Sequence, residues 1–166
     1  MAKKKSKSNL GKVLGLVAAV LGLVAVCMIF VNTIKVPDTK VLGTVIEGEG
    51  YTGLEVVFGF KTDDVAVFGF SIMALLPYLL IIAGSVFAVL NSQSKKANKT
   101  LDFVTAGLFV VAAILCFLMP SFVVFGDTIL GKIAAEIDYE ITTGAIVSAV
   151  ASIVAALSVG VKAIKE

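Results

Sequence analysis

The sequence predicts an all-α membrane bundle: four transmembrane helices with a small antiparallel β-sheet in the first extracellular loop. Three observations point there. The first is composition: 58% of the 166 residues are hydrophobic and 16% charged, against roughly half and a quarter in soluble domains. The second is clustering. The excess falls in four runs, at 13–33, 71–91, 101–121 and 142–161, which hold no charged side chain except Asp102. Each has about the 20 residues that a hydrocarbon core of roughly 30 Å requires. The third is charge asymmetry. Ten of the 14 lysines lie in residues 1–12 (Lys3, Lys4, Lys5, Lys7, Lys12), 92–100 (Lys95, Lys96, Lys99) and 162–166 (Lys162, Lys165). The other two loops, 34–70 and 122–141, hold the remaining four lysines and ten of the 12 acids.

Lysine in short loops favours the cytoplasmic side. The layout is therefore a cytoplasmic basic tail (1–12), an extracellular loop (34–70), a cytoplasmic loop (92–100), a second extracellular loop (122–141) and a cytoplasmic tail (162–166). Both termini are expected in the cytoplasm of a plasma-membrane, multi-pass protein. The first run is longer than the 7–15 residues of a signal-peptide core. Val26 stands where a lipoprotein site needs a small residue before Cys27, and no small-x-small cleavage site follows.

In the first span, Gly11, Gly15 and Ala19 recur every four residues, with Ala18 and Gly22 beside them. Pro77 is expected inside the second helix near its outer end, and Pro120 at the end of the third. The fourth span carries a regular ladder, Gly144, Ser148, Ser152, Ala156 and Gly160, whose spacing puts all five on one helix face. Small residues allow close helix approach in lipid, so this is the candidate packing face, met by the first span within one chain or by a second copy. Cys27 and Cys116 fall at similar depth, and each is expected to act as a small apolar residue.

The first outer loop reads as a three-stranded meander. "KVLGTVI" (40–46), "LEVVFGF" (54–60) and "VAVFGF" (65–70) are rich in β-branched and aromatic residues and are separated by Gly and Asp signals. The stretch "FGFKTDDVAVFGF" (58–70), with Phe-Gly-Phe at both ends and a Lys-Thr-Asp-Asp turn between, predicts a hairpin. Phe58, Phe60, Lys61, Asp63, Asp64, Phe68 and Phe70 form its candidate partner surface. "VVFG" recurs at 123–126, so 122–125 is expected to add an edge strand, followed by a short amphipathic helix over 128–137 with Ile129, Ile133 and Ile137 four apart.

This layout resembles that of the claudins: four spans, a strand-rich first outer loop and one more strand in the second. Claudins carry a Trp, Gly-Leu-Trp and paired-cysteine signature in that loop. Here there is no tryptophan, and both cysteines lie in spans, so no functional residue is carried over.

Function is constrained mainly by exclusion. With no histidine, no Gly-x-Ser-x-Gly and no phosphate-binding loop, the sequence offers no catalytic constellation, no cofactor site and no metal site. The acids Asp127, Glu136, Asp138 and Glu140 match no calcium loop and read as a solvated rim. The absence of arginine and of interleaved aromatics argues against nucleic acid. Small size and lysine without arginine point to a bacterial chain. The partners expected are the lipid bilayer and a membrane or surface protein, or another copy. The reading is a structural or interaction protein that presents an extracellular sheet; the alternative is an oligomeric channel or small transporter subunit using the serine face of the fourth span.

Overall fold

The computed structural model describes residues 2–41, 44–94 and 98–165, with side chains described for all of these except 2–8, 40, 41 and 44. Leu42 and Gly43 of the predicted 40–46 strand, Lys95 and Lys96 of the basic loop, and the side chains of Lys3, Lys4, Lys5 and Lys7 lie outside the described residues. In chain order the elements are α1 (Ala2–Cys27), β1 (Asn32–Lys35), β2 (Thr39–Val41), β3 (Thr44–Ile46), β4 (Gly50–Thr52), α2 (Gly53–Phe58), β5 (Phe60–Thr62), β6 (Val65–Phe68), α3 (Ile72–Gln93), α4 (Lys99–Phe117), α5 (Ile129–Ala134), β7 (Glu140–Ile141) and α6 (Thr143–Lys165). Among the described residues, four helices are long and apolar enough to cross a membrane: Asn9–Phe30, Ile72–Gln93, Lys99–Phe117 and Thr143–Lys165.

The chain packs as two compact units. One comprises Met1–Val26, Pro77–Ile114 and Ser148–Glu166; the other comprises Cys27–Leu76 and Leu115–Val147. They are called here the helical unit and the loop unit.

In the helical unit, Gly11, Gly15, Ala18, Gly22 and Ala25 form a buried stripe on α1. A Cβ on Gly15 would run into Ser92 of α3, and one on Gly22 into Ser85. The small face of α1 thus receives the serines of α3. It also meets α6, where Ser148 Oγ donates to the Ala25 carbonyl at 2.8 Å. Pro77 lies within α3. As the sixth residue of α3 it removes one intrahelical bond, the one that would reach the Met73 carbonyl.

The loop unit departs from the predicted meander. Its strands form three separate pairings: a sheet ordered β4-β1-β7, and the hairpins β2-β3 and β5-β6. Predicted strand 40–46 is folded back on itself, with Thr39 opposite Ile46 and Lys40 opposite Val45. Predicted strand 54–60 is largely the helix α2. The cause is a capping box: Thr52 Oγ1 accepts from the Glu55 N–H at 3.3 Å, and Glu55 Oε2 accepts from the Thr52 N–H at 2.7 Å. These bonds satisfy orphan donors of the first turn and commit the chain to helix despite its valines. The central strand, β1, had been assigned to the end of the first span and the start of the loop. It pairs with β4 on one side and, through Ile34↔Ile141 and Lys35↔Glu140, with β7 on the other.

The hairpin at 58–70 forms as β5-β6, turning at Asp63 and Asp64. Both have positive φ (49° and 63°), which matches the right-handed twist of a tight hairpin. The second loop covers the far edge of β6, though as a bridge rather than a strand. Gly69 N–H donates to the Val124 carbonyl at 2.7 Å, Gly126 N–H donates to the Val67 carbonyl at 3.0 Å, and Phe68 bridges Phe125. Pro120 sits in a 3₁₀ turn, Met119–Phe122, just past α4. The short helix expected over 128–137 forms as α5, capped by Thr128, but ends at Ala134 and leaves Ile137 outside it.

Candidate functional site

The loop unit is organised around Phe68, which is 2% exposed. Its ring centroid lies 4.8 Å from Tyr51, 5.8 Å from Tyr139 and 6.0 Å from Phe125, all in edge-on geometries. Edge-to-face rings bring positive edge to negative face and add to area burial. Phe68 is drawn from the hairpin, Tyr51 from β4, and Phe125 and Tyr139 from the second loop, so the cluster ties sequence-distant segments together. Burial, reinforced by the negative charge of Glu49, pushes the Tyr51 phenol up to about 12. Burial raises Tyr139 as well.

Lys35 on β1 pairs with Asp38 at 3.1 Å and Glu140 at 3.6 Å. The hydrogen bond to Asp38 holds the Lys35 ammonium above its ordinary value. The Gly48 N–H, at 2.9 Å, and then Lys35 hold the Asp38 carboxyl below its own. Glu140, read in the sequence as part of an acidic rim, is thus partly employed in tying β7 to β1. Among the described residues, no group of three or more His, Cys, Asp or Glu is placed to hold a metal.

The predicted partner surface divides. Phe68 is core and Phe60 is half-buried beside Tyr51, at 5.5 Å. Phe58 and Phe70 are exposed and pair with each other at 6.3 Å. Lys61, Asp63 and Asp64 are exposed at the turn. The larger exposed apolar feature is one the spacing of isoleucines had marked only as amphipathic. On α5, Gly131 and Ala134 are buried while Ile129, Leu130 and Ile133 are 80%, 43% and 55% exposed. Thr128 anchors the helix by bonding the Ala66 carbonyl through its hydroxyl. The isoleucine stripe therefore faces away from the unit's own core.

The predicted packing face of α6 runs from burial to open space. Gly144 lies against the backbone of residues 31 and 32, where a Cβ would sit 2.7 Å from the Asn32 carbonyl oxygen. Ser148 and Ser152 are fully buried and bond the carbonyls of Ala25 and Ser148. Ala156 is buried, whereas Gly160 has nothing within 4 Å of its Cβ position. Cys27 is exposed and Cys116 buried, both as free thiols.

The helical unit holds a site that sequence reading missed. Lys162 Nζ bonds Asp102 Oδ1 at 3.0 Å, with both side chains 1% exposed. Asp102 Oδ2 has no hydrogen-bond partner among the described residues. Asn98 starts α4 beneath it: its Oδ1 accepts from the Thr100 N–H at 3.1 Å, and its backbone exchanges two 3.0 Å bonds with the Asn91 amide. The charge pattern puts Lys162 in a cytoplasmic tail over 162–166, but α6 continues through it to Lys165. The available signal was the spacing of Ser148, Ser152, Ala155, Val159 and Lys162, which keeps Lys162 on the inward stripe.

Comparison with protein-family models, curated proteins and solved structures yields no match.

Proposed function

We propose that this is a small multi-pass membrane protein, both termini cytoplasmic, whose loop unit faces outward in the plasma membrane and docks a surface or membrane protein. In this reading it is an interaction protein and not an enzyme. The observation that carries it is α5, a helix pinned on one side and apolar on the other, with Ile129 80% exposed. Contiguous exposed apolar side chains rimmed by polar ones mark interaction surfaces. Asp127, Glu136 and Asp138 outnumber Lys132 around it, which favours a basic partner over the same face of a second copy. Coverage of the hairpin edge by residues 124–126 moves the candidate contact from that edge to α5.

A photo-crosslinking amino acid at Ile133, irradiated on intact cells, tests this. A protein adduct that disappears in Glu136→Lys/Asp138→Lys is the expected result. Adducts to lipid alone, or none, would overturn it. So would a cysteine placed at Lys132 that an impermeant thiol reagent cannot reach from outside.

The Asp102–Lys162 pair favours a second reading, a small transporter or channel subunit, because ionisable groups within spans mark ion and proton pathways. Ser148 and Ser152 no longer support the pore proposed through them, since their hydroxyls bond within the helical unit. Proteoliposomes holding the wild type should leak protons faster than Asp102→Asn proteoliposomes; equal rates sink this reading.

A further inference from the structure

Between α1 and α3, within the helical unit, runs an apolar groove of about 410 Å³. Ala19 and Gly22 form its floor on α1, and Leu23, Val86 and Leu90 stand exposed along it. Its one polar lining residue, Ser85, has its hydroxyl donated to the Ile81 carbonyl at 2.8 Å. Val89 also lines a second hollow of about 350 Å³, whose remaining walls are Lys12, Leu16, Ser92 and Gln93. The two hollows share Val89, and their walls on α1, Lys12, Leu16, Ala19, Leu23 and Val26, fall at three- and four-residue spacing on one helix face. Read together they make a track that is apolar but for Ser85 from Ile82 to Leu90 and polar at Ser92, Gln93 and Lys12. From Ile82 to Gln93 the helix rises about 16 Å, close to half of a ~30 Å hydrocarbon core. Among the described residues Lys12 makes no ion pair, so its ammonium is available at the polar end.

We propose that this track binds one anionic phospholipid, its acyl chain in the α1–α3 groove and its phosphate against Lys12 and the Gln93 amide. The length fits one leaflet, the polarity changes where a headgroup begins, and the charge at that point is positive. Basic pockets between helices at the lysine-rich face recognise anionic headgroups in this way. A second copy of the chain is disfavoured as occupant: docked in parallel, it would bring its own Lys12 to the same mouth.

The inference rests on the membrane reading, and the experiment separates the two. The full chain is purified in mild detergent and titrated with phosphatidylglycerol or phosphatidylcholine of matched acyl chains, with bound lipid counted by native mass spectrometry. One phosphatidylglycerol should be retained in preference to phosphatidylcholine. Lys12→Gln, at an exposed site, should lower its occupancy about fivefold at unchanged thermal stability. Val86→Trp should displace both lipids by filling the groove. Equal retention of the two lipids, indifference to Lys12→Gln, or a dimer that Val86→Trp abolishes would overturn the lipid site and leave the membrane reading standing. Release of the chain from membranes by alkaline carbonate would overturn both.

Discussion

Tyr51 shows how one side chain can carry the loop unit. Its ring contacts Phe60, Phe68 and Tyr139, and its hydroxyl donates to Glu49 at 3.3 Å. The fold favours the neutral phenol, since burial and the nearby carboxylate both oppose the anion. A group whose folded value exceeds its unfolded one contributes stability that is complete below the unfolded value and is lost above it. The contribution of Tyr51 should therefore be constant up to about pH 10 and be lost, with the aromatic packing around it, as pH approaches about 12. Tyrosinate absorbance and near-ultraviolet circular dichroism should change together there, and Tyr51→Phe should reduce that late transition, leaving the part due to Tyr139. A Tyr51 phenol that titrates with its midpoint at about 10 would contradict this account. None of this was legible beforehand, because Tyr51 reads as one residue of a glycine-rich turn.

At the scale of elements, α4 and α6 are joined by the Asp102–Lys162 pair. Removing one partner strands the other charge in a buried site, at a cost of about 3–5 kcal/mol, whereas replacing both with apolar residues is often neutral. Asp102→Leu and Lys162→Met should each lower stability in detergent by that order, and the double variant should recover most of the loss. Additive losses would show that the two groups are not coupled. The extents of α4 and α6 were nearly legible from the apolar runs. The pair was not, because each charge falls at the edge of its run, where a solvated residue is the ordinary expectation. The helix α2 is a different case. Its capping box, Thr52 to Glu55, is written in the sequence before a short apolar run. The β-branched residues after it outweighed that signal, although two hydrogen bonds at the first turn contribute more than the modest strand preference of valine.

At the scale of the molecule, composition and charge by themselves determined a great deal. Four apolar runs of helical length, the placement of Pro77 and Pro120, and the hairpin around Asp63 and Asp64 follow from local constraints: hydrocarbon-length hydrophobicity, a missing N–H, and a turn that two aspartates can adopt. Tertiary structure decided what depends on distant partners. β1 is central because β4 and β7 reach it from 15 or more residues away in sequence. Phe68 is core because rings from the second loop surround it. The small face of α1 receives the serines of α3, and Lys162 is buried because Asp102, 60 residues earlier, stands opposite. Local pattern can specify which backbone a segment adopts, since that choice is made within a few residues. Which face of it is covered, and by what, is settled only when the whole chain competes for the same contacts.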